Sequence, residues 1–138
     1  MATPVITNSF ACRQIRPGDT WKIYLLAEDP EGDMKAMVCT VDQPGAGTAA
    51  AGRTKIREDQ RRVLSGYLFL STGGAGLAFS TLTLTVQIED QAGNQSNPVT
   101  FPLSLNPRAA EGEPPPGVFQ ERELGPVMVT VLSPASGA

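Results

Sequence analysis

The chain has no histidine among its 138 residues. That absence removes Ser-His-Asp and Cys-His catalysis, most zinc sites, and the side chain that most readily moves protons near neutral pH. Cysteine is nearly missing too, since Cys12 and Cys39 are the whole supply. Two cysteines allow neither a disulfide framework nor a multi-cysteine metal site. They read equally well as one bond, worth roughly 3–4 kcal/mol through loop closure, or as two buried thiols. Basic charge is short as well: eleven Lys and Arg against fourteen Asp and Glu leave a net −3. A nucleic-acid binder normally carries a basic domain or stripe, so no nucleic-acid partner is expected. No apolar run reaches the about 20 residues that a membrane-spanning helix needs, so no membrane insertion is expected. Met1 to Ile6 hold neither a basic n-region nor an apolar h-region, and are not read as a signal peptide. Finally, no segment carries an amphipathic helical stripe, which excludes helical bundles and sheets joined by helical crossovers.

What the chain does have is alternation. Leu82, Leu84, Val86 and Ile88 alternate with Thr83, Thr85, Gln87 and Glu89. A period of two makes one face apolar and the other wet, as in a half-buried strand. Asp90 to Asn97 is turn chemistry, and Val99, Phe101, Leu103 and Leu105 resume the alternation. Upstream, Val5–Phe10 reads as a short edge strand, Arg16–Thr20 as a turn, and Trp21–Ala27 as a strand. That strand is apolar on both parities: Trp21, Ile23 and Leu25 on one side, Tyr24 and Leu26 on the other. It therefore reads as central, with cover on its outer face. Glu28–Asp33 is a tight acidic turn before a strand over Met34–Val41. Gln43–Gly52 is small and Gly/Ala-rich and reads as a loop. Thr54–Arg57 reads as a short edge strand and Val63–Ser71 as a full one. About seven short strands with regular turn signals predict an all-β, immunoglobulin-like antiparallel sandwich over residues 1–106.

Residues 107–138 differ in composition. Pro107, Pro114, Pro115 and Pro116 among Glu111, Glu113, Glu121 and Glu123 favour an extended linker. Val127–Leu132 then reads as an extra strand, apolar on both parities (Val127, Val129 and Val131 against Met128 and Leu132). Such a strand needs a sheet, either its own or a neighbouring copy's.

Ala27-Glu-Asp-Pro-Glu-Gly-Asp33 resembles the first-hairpin turn of bacterial immunoglobulin-like and cadherin-like surface repeats. Val86 to Ser96, with its Asp-x-Ala-Gly-Asn turn, is similar to the end of the penultimate strand in the same group. The resemblance covers about Pro4 to Asn106. It implies a non-catalytic module of the kind found in adhesin stalks, enzyme appendages, and capsid or tail decorations. That places the chain outside the cell, at the cell surface, or in a virion. The Gln43–Arg62 insertion and the extra strand depart from a minimal repeat.

Three groups of residues are candidates for chemistry. In an immunoglobulin-like topology the two acidic turns share a pole, where Asp29, Glu31, Asp33, Asp90 and Asn94 meet. Crowded oxygens suit calcium, and cadherin-like relatives use such a pole. The competing reading is that each turn satisfies itself through backbone N–H groups. Arg53, Lys55, Arg57, Arg61 and Arg62 form either a patch for an acidic protein partner or a solvated edge. Val127, Val129 and Val131 would carry protein–protein contact or self-association. No carboxylate pair or Ser-Lys dyad is nominated by spacing, so no enzyme is expected. The alternative to a structural module is a calcium-dependent or glycan-binding adhesion module, with no other cofactor.

Overall fold

The computed structural model describes residues 3–43, 47–48, 52–71, 81–110 and 112–127. The described chain is an all-β sandwich of two sheets. Its strands are β1 (Val5–Ala11), β2 (Gln14–Ile15), β3 (Thr20–Glu28), β4 (Met34–Gln43), β5 (Gly47–Thr48), β6 (Gly52–Lys55), β7 (Val63–Ser71), β8 (Thr81–Asp90), β9 (Val99–Leu105) and β10 (Glu123–Pro126). Among the described residues the only helical element is a 3-10 turn at Glu58–Gln60. One sheet has the order β1-β3-β7-β10. The other has the order β2-β9-β8-β4-β5, with β6 also paired to β4.

The alternation read from the sequence sets the inner faces. Leu82, Leu84, Val86 and Ile88 of β8 are buried, as are Phe101, Leu103 and Leu105 of β9. They face Trp21, Ile23, Leu25 and Ala27 of β3 and Leu64, Leu68 and Leu70 of β7 in one continuous core. Trp21 is only 1% exposed and meets Phe101 edge-on, with ring centroids 6.5 Å apart. Its indole N–H donates to the Cys12 carbonyl at 2.8 Å. Packing and a satisfied polar tip together explain why so large a ring is at home here.

The β-sandwich is antiparallel in its main pairs, and each sheet adds one short parallel pair. The chain leaves the first sheet after β1 and enters the second at β2, which runs parallel to β9. That short strand, Gln14–Ile15, lies within a stretch whose sequence shows no strand signal. At the other end β10 runs parallel to β7, with Glu123 opposite Tyr67 and Pro126 opposite Phe69. A parallel partner needs a long connection. Here β8 and β9 intervene, and the described residues 106–110 and 112–122 then bring the chain back as a strap across the outer face of the first sheet.

The strap is the cover that two-sided β3 requires. Tyr24 on the outer face is 5% exposed because Phe119 packs on it, with centroids 5.6 Å apart. The Tyr24 hydroxyl donates to the Glu121 carboxylate at 2.9 Å. The Gln120 amide donates to Ser65 Oγ, the Tyr67 amide to the Arg122 carbonyl, and the Val127 amide to the Phe69 carbonyl. Leu124 and Val127 then enter the core. Thr54 Oγ1 of β6 donates to the Pro126 carbonyl, so β10 also bridges to the opposite sheet. The stretch Asn106–Gly125, linker-like in composition, is thus held to the body along much of its length. β10, Glu123–Pro126, lies before the Val127–Leu132 run expected as a strand, and of that run only Val127 falls among the described residues. Val129 and Val131 lie outside the described residues.

Cys12 and Cys39 are both free thiols. Cys39 lies fully buried on the inner face of β4, and burial pushes its thiol up to about 12. Cys12 lies between β1 and β2, and its thiol donates to the Gly112 carbonyl of the strap at 3.3 Å.

Candidate metal centre

The turn between β3 and β4 carries the chain from one sheet to the other. The turn after β8 lies beside it, because Met34 of β4 pairs with Asp90 of β8. The Gln91 amide donates to the Asp33 carbonyl at 3.0 Å and ties the two turns together. The pole expected from the sequence therefore exists.

Each turn first organises itself. Asp29 Oδ1 accepts the Glu31 amide at 3.0 Å, and the Asp29 carbonyl accepts the Gly32 amide at 2.9 Å. Gly32 sits at φ 68°, a left-handed conformation that favours glycine. Asp90 Oδ1 accepts the amides of Ala92 and Asn94, at 3.0 and 2.8 Å. Asp90 Oδ2 accepts the Asn94 side-chain amide at 3.2 Å. These are the local bonds that Asp and Asn form in turns, and they account for Asp90 in full.

They do not account for Asp29 and Asp33. One carboxylate oxygen each from Asp29, Asp33 and Asp90 lies within 4.8 Å of the other two. Asp29 is 0% exposed and Asp90 1%. Asp29 Oδ2 and Asp33 Oδ1 are buried and receive no hydrogen bond. Ionised carboxylates only accept, so they cannot satisfy one another. A buried charged oxygen without a donor is costly. Either a proton or a cation must lie between these groups. Asp33 shows the strain as a pKa raised to about 6. The first cause is the hydrogen bond that a protonated Asp33 shares with Asp29. Burial follows, then the charges of Asp29, Asp90 and Glu31. Once that proton is lost, a cation between the carboxylates would neutralise the cluster. The donors are all oxygen, which suits calcium or magnesium rather than zinc.

Of the five residues nominated from the sequence, the structure brings three carboxylates together. Glu31 is exposed but close enough for its charge to act on Asp33. Asn94 serves Asp90 through its amide N–H, the wrong end for a cation. One residue that sequence reasoning passed over shapes the pole. Asn97 Oδ1 accepts the Ile6 amide at 2.9 Å, and its Nδ2 donates to the Ile6 carbonyl. It thereby pins β1 of one sheet to the β8–β9 loop of the other. Its sequence signal was present, as the Asn of an Asn-Pro turn, but its partner is 91 positions away.

The basic run divides. Arg53 is ion-paired with Glu89 on the outer face of its sheet, and Lys55 and Arg57 are exposed. Arg62 instead turns to the acidic pole: its carbonyl accepts the Asp29 amide and its guanidinium donates to the Pro30 carbonyl at 2.6 Å. The Arg61 carbonyl accepts the Met34 amide. These two arginines brace the turn through backbone contacts. No family model matches this chain, and no curated protein matches it.

Proposed function

We propose that the chain is a non-catalytic structural and interaction module whose acidic pole takes a calcium ion. What carries the reading is the fully buried Asp29, with a carboxylate oxygen left undonated beside Asp33 and Asp90. The ion would be held by these three carboxylates, and it would stiffen the two turns that cross between the sheets. A partly pre-bonded set of three carboxylates belongs with weak sites, on the order of 10⁻⁴ to 10⁻³ M, the range of extracellular modules. That range fits a cell-surface or virion assembly, where calcium is plentiful. The strand order supports the immunoglobulin-like part of the proposal. β1-β3-β7 against β9-β8-β4 repeats the A-B-E and G-F-C order of such sandwiches, with β10 standing where strand D would be.

The test is calorimetric titration of the chelated protein with calcium, beside thermal melting. A saturable heat is expected. At a hundredfold excess over the dissociation constant, linkage gives about 2.7 kcal/mol. That is a rise in Tm of roughly 10 °C for a chain of this size. Asp29→Asn should abolish both while leaving the calcium-free protein folded, because its amide can donate to Asp33. No heat and no melting shift for the parent chain would end the proposal.

A second reading concerns the C-terminal strand as the adhesive element of an assembly. β10, just upstream of the Val127–Leu132 run, pairs with β7 of its own chain, which supports fold-back over exchange with a neighbour. Deleting the residues after Gly125 should therefore lower stability without changing the assembly state seen by light scattering. A change from oligomer to monomer would favour exchange instead.

A further inference from the structure

The strap does not lie flush on the sheet. Between them runs a groove of about 560 Å³, in the size range of small-ligand sites. Phe10 and Tyr24 of the sheet and Phe119 of the strap line it with aromatic surface, together with Pro114–Pro116 of the strap. The rings form one cluster: Tyr24 meets Phe10, Phe119 and Tyr67 at 6.5, 5.6 and 5.5 Å.

Charge then narrows the ligand. Glu113 and Glu121 border the groove. Glu121 is fixed there by the Tyr24 hydroxyl. Glu113 makes no ion pair or hydrogen bond with the other described residues, so its charge is unspent. The one cation on the lining, Lys22, holds its ammonium 4.6 Å over the ring of Tyr67, which is not part of the wall. The same aromatic cluster thus already receives one ammonium group, over Tyr67. Aromatic rings and carboxylates together make the environment that desolvated organic cations prefer, because the ring quadrupole and the anions act with the same sign. A neutral apolar ligand would gain from the rings but nothing from Glu113 and Glu121.

We propose that the groove between the strap and the outer face of the first sheet binds a small alkylammonium ligand, its cationic head against Phe10, Tyr24 and Phe119 and its charge balanced by Glu113 and Glu121. The site is separate from the acidic pole and does not depend on calcium.

Choline is the probe, with its neutral carbon isostere 3,3-dimethylbutan-1-ol as the control. Backbone amide shifts of the full chain are followed by NMR, with calorimetry beside them. Choline should give saturable shifts confined to Phe10, Lys22, Tyr24 and residues 112–121. The isostere should bind about tenfold more weakly, or not at all. Phe119→Leu keeps an apolar cover but removes a π face, and Glu113→Gln keeps shape but removes charge. Each should weaken choline by roughly three- to tenfold without a change in melting temperature comparable to loss of the strap. Equal affinity for choline and the isostere overturns the proposal, as does an absence of saturable shifts with choline. Unaltered choline binding in both variants overturns it as well.

Discussion

Replacing Gly66 with alanine is expected to destabilise the chain by about 2–4 kcal/mol, the range of severe core substitutions. Gly66 faces the strap where it turns over the edge of β7. A β-carbon there would stand 2.2 Å from the Arg122 carbonyl oxygen and 2.9 Å from Leu124 Cδ2. Backbone cannot yield as a flexible side chain can, so the strap itself must move. The most that can be lost is the seat of β10. That comprises the bond from the Tyr67 amide to Arg122, the bond from Val127 to Phe69, and the burial of Leu124 and Val127. Full burial of two such side chains contributes about 3–6 kcal/mol. Partial relaxation recovers some of it, hence the lower figure. Gly112→Ala in the same strap is the control, since the nearest atoms to its added carbon are 3.9 Å away, in ordinary contact. Urea unfolding of both variants decides the matter. A Gly66→Ala chain as stable as the parent would mean that the strap is not held against β7 in solution.

The acidic pole should make stability depend on pH in opposite directions with and without calcium. Asp33 is raised from 3.8 to about 6, first by the hydrogen bond it shares with Asp29 when protonated, then by burial, then by Asp29, Asp90 and Glu31. Between those two values the folded state binds more protons than the unfolded state. The linkage slope is then negative, so metal-free stability falls as pH rises through that window. Calcium needs the ionised form. Its affinity should therefore fall about tenfold from well above pH 6 to pH 5, where one proton competes for Asp33. Asp59 acts with the opposite sign, because Arg122 lowers its pKa and its contribution is lost as pH falls. Asp33→Asn separates the two. It should remove the metal-free fall in melting temperature between pH 4 and 6, and leave the acid-side loss from Asp59. Parallel pH profiles for parent and variant, with and without calcium, would show that Asp33 does not carry a shifted proton.

Much of the sandwich is legible in the residues because its signals are local. The period of two in Leu82–Ile88 puts four side chains on one face whatever lies opposite. The two-sided apolarity of Trp21–Ala27 says that β3 is central and covered. The pole is partly legible for the same reason: Asp29 and Asp90 with their nearby glycines announce turns that accept backbone amides. Strand edges were less readable. β6 runs over Gly52–Lys55, starting two residues before and ending two residues short of the expected Thr54–Arg57, although the Ile56 amide still bonds in register to the Lys35 carbonyl and Ile56 fills the core. β2 and β10 are short, and both depend on a distant partner to be strands at all.

The sequence by itself therefore determined that this is a β-sandwich with two acidic turns and an apolar C-terminal run. Hydrophobic period and turn chemistry act within a few residues, and sequence displays them directly. Only the tertiary structure decided what covers Tyr24, which sheet receives Leu124 and Val127, and that Asp29 and Asp33 keep oxygens that no donor reaches. Those outcomes depend on groups far apart in the chain, such as Gly66 beneath Arg122, and on whether every buried polar atom finds a partner. A composition that favours an extended linker became a strap because β7 had an open edge and β3 an uncovered aromatic face, and the strap covers both while Pro107, Pro115 and Pro116 stay exposed.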